Sequence, residues 1–199
     1  MQEWLEEKEV GKWKIVHYEL KEDFCKLENL RMLMHGYGSR RIEPGMYTKL
    51  VHVQRGVVMS DTHAELNDLW EYQHALQSFK EYPERSVHID GLGMGITVKM
   101  AVELGYSVEV IEIDPEVIEL MKPFIDKLGG DVDIIQADCL TWKSFPNTKY
   151  TIAWHDIWDD LCSDNLPEYA LLNRRYGQKV RWQGAWGQDF IKQRERSDW

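Results

Sequence analysis

The feature that most constrains this chain is the run Gly-Leu-Gly-Met-Gly at residues 91–95, which separates an apolar stretch from an amphipathic one. The apolar stretch Ser86–Asp90 predicts a β-strand, and Ile96–Leu104 predicts an α-helix that stops at Gly105. Glycines in such a turn allow a tight bend with positive φ and let a ligand approach the backbone, because no Cβ atom intervenes. The N–H groups that begin the helix point at the same place. The sequence therefore predicts a ligand site at this junction.

Strand and helix patterns alternate after this turn. Units of about 20 to 25 residues indicate right-handed βαβ crossovers and a parallel sheet. We therefore predict an α/β fold over residues 81–199: a Rossmann-like, mostly parallel sheet with helices on both faces, short at its C-terminal end. The further strands predicted are Ser107–Ile113, Val132–Gln136, Tyr150–Trp154 and Lys179–Trp182, and the further helices are Glu116–Leu128, Leu166–Tyr176 and a short one after Gly187.

Residues 1–80 have a different pattern and are predicted to form a small N-terminal hairpin-and-helix region. Thr62 and Glu65 have the spacing of a capping box, in which the two side chains bond the first backbone N–H groups of a helix. A Gly-containing turn between apolar runs is typical of a β-hairpin. The elements predicted are a strand at Trp13–Leu20, a loop at Arg31–Gly45, a hairpin formed by Tyr47–Val53 and Val57–Met59, and a helix from His63 to about Phe79.

An acid follows the second strand of the alternating region. Glu112 lies 21 residues after Gly91. A carboxylate at about this distance accepts hydrogen bonds from ribose hydroxyls in dinucleotide-binding folds. A glutamate can also lie at an exposed strand end without any function. Here, however, the strand, the glycine turn, the helix, the second strand and the acid occur together. The combination predicts a ligand that contains a nucleoside.

The glycine spacing distinguishes two such ligands. The NAD fingerprint is Gly-x-Gly-x-x-Gly, whereas here the third glycine comes one residue early and position 96 is Ile. The segment resembles the class I S-adenosylmethionine-dependent methyltransferases. That resemblance implies S-adenosyl-L-methionine as the cofactor, and it places Asp138, the acid after the third strand, near the adenine amino group. The cofactor-binding residues so implied are Asp90, Gly91, Gly93, Met94, Gly95, Glu112, Ile113, Asp138, Cys139 and Asp156.

Residues 46–160 also resemble the spermidine synthase branch of that fold. The matching motifs are Ile-Glu-Ile-Asp at residues 111–114 and Asp-Ile-Trp-Asp at residues 156–159. The resemblance implies that Asp156 accepts a proton from a substrate amine and that Asp159 holds the amine. Two positions depart from the branch. Met94 stands where an Asp faces the propylamine end of the decarboxylated cofactor, and Asp160 stands where a Pro usually follows.

The segment after the fourth strand, Trp154–Asn165, combines carboxylates, a histidine and two tryptophans where the reacting end of the ligand is expected. Neighbouring carboxylates repel each other, so one holds a proton or pairs with a cation, and tryptophan faces attract cations. We predict Asp156 and Asp159 as catalytic residues, with His155 and Trp158 as substrate contacts. No ligand spacing is diagnostic of a metal ion, so no metal site is predicted.

Composition narrows the classes of partner. The chain has 199 residues and a net charge of −10, which disfavours a broad electrostatic contact with nucleic acid.

Three widely spaced cysteines predict a reducing, cytoplasmic location rather than a disulfide framework. Neither a membrane span nor a signal peptide is predicted, since no apolar run is long enough and the first ten residues are acidic. The sheet edge left by a short C-terminal region predicts self-association into a homo-oligomer.

Three functions are consistent with these features. The first is S-adenosylmethionine-dependent methyl transfer to a small acceptor. The second is aminopropyl transfer of the spermidine synthase type, which Asp156 and Asp159 favour and Met94 disfavours. The third is a non-catalytic nucleoside-binding protein, which the short sheet and the aromatic C-terminal residues favour.

Overall fold

The computed structural model describes residues 1–34, 40–143, 149–160 and 162–188. Within these ranges an antiparallel sheet precedes a parallel one. The elements of the first part are β1 (Lys8–Val10), β2 (Trp13–Leu20), α1 (Glu22–Met34), β3 (Gly45–His52), β4 (Gly56–Ser60), α2 (His63–Asp68) and α3 (Trp70–Phe79). Those of the second part are β5 (Ser86–Asp90), α4 (Ile96–Glu103), β6 (Ser107–Glu112), α5 (Pro115–Leu128), β7 (Val132–Gln136), β8 (Ile152–His155), a 3-10 turn at Ser163–Asn165, α6 (Leu166–Tyr176) and β9 (Trp182–Ala185).

The second part is a parallel sheet with the strand order β7-β6-β5-β8-β9. Asp90 at the end of β5 pairs with Ile111 and His155, so the carboxyl ends of neighbouring strands meet at one edge. Side chains alternate between the two faces of a strand. One face packs against α3, α4 and α5 through Ile89 and its neighbours, and the other packs against α6 through Ala153. The predicted Rossmann-like α/β fold with helices on both faces is confirmed.

The first part forms an antiparallel sheet in the order β1-β2-β3-β4. The predicted strand Trp13–Leu20 and the hairpin β3–β4 are both present. Strands β1 and β2 of this sheet pack against α5. Trp4, which precedes β1, meets Phe124 of α5 edge to face with ring centroids 6.1 Å apart. Trp13 and Phe124 belong to one continuous apolar cluster. The two parts therefore share a core, and a domain boundary at residue 80 stays a prediction.

Helix α1 replaces the first part of a predicted loop. The predicted loop Arg31–Gly45 is wrong over its first four residues, which end α1, while residues 35–39 lie outside the described ranges. The helix buries only Cys25 among its residues, so its sequence has no apolar stripe of helical period to reveal it. Arg31 pairs with Glu28 on its surface.

The helix predicted from His63 to Phe79 is interrupted at Leu69, where the backbone leaves helical geometry between α2 and α3. The Leu69 side chain is buried in the core, so tertiary packing overrides the helical pattern. The predicted capping box does not form. Glu65 instead accepts hydrogen bonds from the N–H and the hydroxyl of Ser60, at 2.5 and 2.8 Å.

Two strand boundaries differ from prediction. β8 begins and ends later than Tyr150–Trp154, and β9 is Trp182–Ala185 rather than Lys179–Trp182. The register pairs Ile152 with Trp182, and the indoles of Trp154 and Trp182 stack 6.2 Å apart. The helix predicted after Gly187 falls almost wholly outside the described residues.

Candidate functional site

A cleft of about 350 Å³ lies at the carboxyl edge of the parallel sheet, covered on one side by the antiparallel sheet. This is where open α/β sheets bind ligands. The parallel part contributes Gly91–Gly93, Ile111–Asp114, Ala137–Leu140, Asp156–Asp159, Thr97, Val117 and Glu168, and the antiparallel part contributes Trp13, Leu50, Arg55, Val58 and Met59.

At Gly91 and Gly93 of the glycine turn, backbone atoms form part of the cleft wall. Gly91 has φ +92°, and a Cβ atom there would lie 2.0 Å from the carbonyl oxygen of Asp156. Gly93 has φ +50°, and a Cβ atom there would lie 2.8 Å from Sδ of Met59. Both glycines line the cleft as predicted. Gly95 is the N-cap of α4, and a Cβ atom there would lie 2.6 Å from the Phe124 ring. It does not line the cleft, so its predicted contact with a ligand has no counterpart there.

Both carboxylate oxygens of Glu112 accept backbone hydrogen bonds at the wall of the cleft. Its Oε2 accepts the N–H of Leu92 at 2.8 Å, and its Oε1 accepts the N–H of Asp114 at 2.9 Å. The side chain is 8% exposed, and burial raises its pKa above the ordinary value. The two N–H groups hold the carboxylate at the end of β6, where the sequence predicts it.

Three other predicted cofactor residues also line the cleft: Ile113, Asp138 and Cys139. Ile113 is 64% exposed, which is unusual for an isoleucine beside a buried strand. Asp138 accepts the N–H of Leu140 at 2.9 Å and so fixes the turn after β7. Burial raises the pKa of the Cys139 thiol strongly, which agrees with its interpretation as a small buried residue.

Asp156 lies at the end of β8, where its backbone N–H donates to the Asp90 carbonyl oxygen at 2.8 Å. Burial raises the pKa of its carboxyl group to about 7, and negative charge on Glu65 and Asp68 acts in the same direction. A carboxyl group with this pKa exchanges its proton near neutral pH, which suits a general base. The assignment of Asp156 as a catalytic residue stays a prediction.

Trp158 and Asp159 reach the cleft as predicted, and each has a partner. The indole N–H of Trp158 donates to Glu168 at 2.6 Å. Asp159 pairs with Arg55 at 2.5 Å, and this guanidinium lies 4.9 Å from the ring centre of Trp13. Asp159 is therefore tied to the β3–β4 hairpin across the cleft.

Asp90, His155 and Met94 depart from their predicted places, since none of their side chains lines the cleft. Asp90 is fully buried and bonds His88 at 2.9 Å and Nδ1 of His155 at 2.6 Å. His155 is therefore corrected from a substrate contact to a member of a buried network. The Met94 side chain is fully buried in the apolar core, so it does not stand where a cofactor amine would be.

Several cleft residues escape sequence reasoning. Trp13 donates its indole N–H to Asp114 at 2.7 Å, and Arg55 meets Asp159, each pair being about a hundred residues apart along the chain. No local pattern indicates such long-range contacts. Asp114 does have a signal, because it ends the Ile-Glu-Ile-Asp motif and precedes Pro115 as the N-cap of α5.

Solved structures show what the fold is similar to. An S-adenosylmethionine-dependent methyltransferase from Thiobacillus denitrificans, in complex with S-adenosyl-L-homocysteine, is 20% identical over 55% of this chain and 44% of that chain, with a TM-score of 0.41. MNMC2 from Aquifex aeolicus is 16% identical over 68% of this chain and 55% of that chain, with a TM-score of 0.48. The 23S rRNA methyltransferase ErmE is 18% identical over 56% of this chain and 42% of that chain, with a TM-score of 0.40.

The chain thus spans between 42% and 55% of the length of these neighbours. Methyltransferases, one of them an rRNA enzyme, are among the solved structures that align with part of this chain. No protein-family model and no curated protein matches the sequence. The narrower resemblance to spermidine synthases stays a prediction.

The described ranges contain neither a helix suited to cross a membrane nor a cluster of metal-binding side chains. Among the helices described, none combines the length and apolar character that a membrane crossing needs. No group of three or more His, Cys, Asp or Glu side chains in those ranges is placed to hold a metal ion.

Proposed function

We propose that this protein is a methyltransferase that uses S-adenosyl-L-methionine. The observation that carries the proposal is Glu112, whose carboxylate is held by two backbone N–H groups on the wall of the cleft, beside the glycine turn. Each carboxylate oxygen accepts one of these bonds and has a further lone pair. The pair of free acceptor positions suits the two neighbouring hydroxyls of a ribose.

The residues around Glu112 fit the rest of a nucleoside. Ile113 offers exposed apolar surface that an adenine ring would cover, which is favourable because apolar area leaves water. Asp138 lies beyond it, at the end of β7, and supplies an acceptor for the adenine amino group. Gly91 and Gly93 leave open backbone for the amino-acid end of the cofactor.

When bound, the cofactor supplies a methyl carbon whose bond to sulfur breaks as its bond to the acceptor forms, with the electron pair passing to sulfur. The chain then has two tasks: to orient the acceptor and to take its proton. Asp156 takes the proton on its carboxylate, which is ionised above a pKa of about 7. Asp159 is neutralised by Arg55, so its role is to hold the hairpin over the acceptor rather than to act as a base.

We propose a small molecule as the acceptor. Ligand pockets commonly measure about 300–1,000 Å³. The cleft, at about 350 Å³, is at the small end of this range and is covered by the antiparallel sheet. A nucleoside cofactor leaves little of that space, which favours a compact acceptor over a folded macromolecule.

Calorimetric titration with S-adenosyl-L-homocysteine tests the proposal directly, with NAD⁺ and decarboxylated S-adenosylmethionine as comparison ligands. We expect S-adenosyl-L-homocysteine to bind and NAD⁺ not to bind. If S-adenosyl-L-homocysteine does not bind, the cofactor assignment is wrong. Transfer of a labelled methyl group is then measured on a panel of small acceptors and on total RNA. Labelling of RNA alone contradicts the small acceptor, and tight binding with no transfer to any acceptor favours the non-catalytic alternative.

A further inference from the structure

Two consecutive residues of β4, Val58 and Met59, both line the cleft. In a regular strand only one of them would, because successive side chains point to opposite faces. The pairing of β3 with β4 shifts at this point, since Leu50 is opposite Met59 whereas Val51 is opposite Val57. Val58 is therefore the extra residue of a β-bulge, a feature that redirects side chains beside functional sites.

The thioether of Met59 lies directly over the glycine turn. Its Sδ atom accepts the backbone N–H of Met94 at 3.2 Å. An ideal Cβ atom on Gly93 would lie 2.8 Å from Sδ and 3.4 Å from Cε, so the Met59 side chain fills the space that a glycine at position 93 leaves open. Gly93 belongs to the backbone that is proposed to receive the amino-acid end of the cofactor. Met59 therefore covers part of the surface that the cofactor would use.

Met94 has the weakest acceptor among the bonded N–H groups of the glycine turn. Gly91 and Gly95 donate to backbone carbonyl oxygens at 2.8 Å, and Leu92 donates to the carboxylate of Glu112. A thioether is only a weak acceptor, whereas a carboxylate forms charge-assisted hydrogen bonds. The N–H of Met94 is therefore the group of this turn that gains most when a carboxylate replaces its acceptor.

The Met59 side chain can leave this position while the antiparallel sheet stays docked. Methionine is unbranched and has several rotatable bonds, so it adapts its shape easily. Met59 is partly buried and borders both the cleft and a second cavity of about 40 Å³, whose walls include Leu66 and Ile96. The β3–β4 hairpin is held across the cleft by the ion pair between Arg55 and Asp159. Rotation of one side chain is thus enough to uncover the turn.

We propose that Met59 determines the affinity and the end-group specificity of the cofactor site, because it competes with the amino-acid end of S-adenosyl-L-methionine for the glycine turn. This inference rests on the proposed function and deepens it. The N–H of Met94 exchanges the thioether for the carboxylate of the cofactor, and the Met59 side chain turns towards the second cavity. A nucleoside without an amino-acid end binds with Met59 in place. Met59 therefore lowers the apparent affinity only for ligands that carry this end.

The test compares S-adenosyl-L-homocysteine with methylthioadenosine, a nucleoside that keeps the thioether but lacks the amino-acid end. Calorimetric titration measures both affinities in the parent and in Met59→Ala. Binding of S-adenosyl-L-homocysteine should strengthen about threefold or more, and binding of methylthioadenosine should stay within about twofold, because only the first ligand has to displace the side chain. Met46→Ala is the matched control: Met46 is half exposed on β3 and does not line the cleft, so neither affinity should change.

The possible results separate this inference from the cofactor assignment. Unchanged or weaker binding of S-adenosyl-L-homocysteine by folded Met59→Ala overturns the role of Met59 and leaves the cofactor assignment intact, and so does an equal change for both ligands. If S-adenosyl-L-homocysteine binds neither the parent nor the variant, the proposed function is wrong, and the role of Met59 is wrong with it.

Nuclear magnetic resonance follows the exchange of acceptors in the parent protein and does not depend on the folding of a variant. Isotope-labelled protein is titrated with each ligand, and the amide signal of Met94 is observed together with the methyl signal of Met59. S-adenosyl-L-homocysteine should move both signals, because the N–H changes its acceptor and the methyl group leaves Gly93. Methylthioadenosine should leave both signals near their starting positions. A Met94 amide signal that S-adenosyl-L-homocysteine binding does not move contradicts the exchange.

Discussion

The carbonyl oxygen of Asp156 occupies the space that a side chain on residue 91 would need: an ideal Cβ atom on Gly91 would stand 2.0 Å away. The glycine turn and the proposed base are thereby packed backbone to backbone, with the N–H of Asp156 bonded to the carbonyl oxygen of Asp90. The glycine turn therefore helps to position Asp156.

Gly91→Ala is expected to destabilise the protein by roughly 3 kcal/mol or more, because the added methyl group clashes with fixed backbone and positive φ is unfavourable for alanine. Urea unfolding measures the loss. Gly56→Ala is the matched control, since Gly56 also has positive φ, at +82°, but no atom within 4 Å of its ideal Cβ. The control should lose only about 1–2 kcal/mol. Equal losses in both variants contradict the close packing of Gly91 against Asp156.

Glu112→Ala is expected to lower the affinity for S-adenosyl-L-homocysteine at least tenfold. In the proposed function the variant would remove two charge-assisted hydrogen bonds to the ribose, each worth roughly 1.5–3 kcal/mol. Calorimetry on folded protein measures the change, with Glu119→Ala on the exposed side of α5 as control. Unchanged affinity in Glu112→Ala argues against a ribose at this position.

Asp156→Asn should reduce turnover by about 10²- to 10⁴-fold, the usual contribution of a general base, with a much smaller effect on cofactor affinity. The pKa of about 7 also sets a pH dependence. Only the ionised carboxylate accepts a proton, so parent turnover should rise with pH up to about 7 and level off above it. The rate measured against pH in both proteins checks this. A parent profile without that rise between pH 5 and 7 excludes Asp156 as the base.

The low pKa of Asp90 makes part of the free energy of unfolding depend on pH in the acid range. Burial alone would raise the pKa of Asp90, but hydrogen bonds from His155 and His88 outweigh it and lower the pKa to about 2. Because this folded-state pKa lies below the unfolded value of about 3.9, the stabilisation is complete above that value and is lost as the pH falls towards 2. It amounts to roughly 2–3 kcal/mol.

Asp90→Asn should therefore lose stability at pH 6 and show a shallower decline in unfolding free energy between pH 5 and pH 2 than the parent. Urea unfolding at several pH values measures both effects. Asp133→Asn, at an exposed position of β7, should decline as the parent does. An unchanged slope in Asp90→Asn means that the network does not hold Asp90 ionised.

Met94→Asp is expected to destabilise the fold rather than alter ligand selectivity, because residue 94 lies in the core and a charge there would be desolvated. Met46→Asp is the control, since Met46 is half exposed on β3. Thermal unfolding should show a large loss for the first variant and a small one for the second. A folded Met94→Asp that shifts preference towards decarboxylated S-adenosylmethionine contradicts the core position.

The parts of the site that the sequence predicts are local in the chain. The glycine turn, Glu112 and Asp138 each follow from a strand and the few residues after it, and parallel strands bring these ends together. The sequence does not show which way a side chain turns once the strands are packed. Asp90 and His155 lie beside predicted cleft residues, yet they point to the α6 side of the sheet, where His88 and Tyr176 surround them.

The contacts between the two sheets cannot be predicted from the sequence, for a different reason. Trp13 and Arg55 meet Asp114 and Asp159 only through long-range packing, which no short pattern encodes. The sequence does not predict helix α1, because the helix buries a single residue and so has no apolar stripe. The capping box does not form, because Glu65 accepts hydrogen bonds from Ser60 instead. Long-range packing therefore decides only the contacts between the two sheets.

The cover of the cleft has a consequence for how ligand occupancy can be observed. Residues of β2, β3 and β4 touch the cleft, so a ligand there binds only while the antiparallel sheet is docked. Ligand binding and sheet opening are then linked equilibria, and occupancy suppresses local opening by the free energy of binding. Amide hydrogen exchange in β3, far along the chain from the glycine turn, should slow when S-adenosyl-L-homocysteine is added, by a factor that rises in proportion to ligand concentration above its dissociation constant.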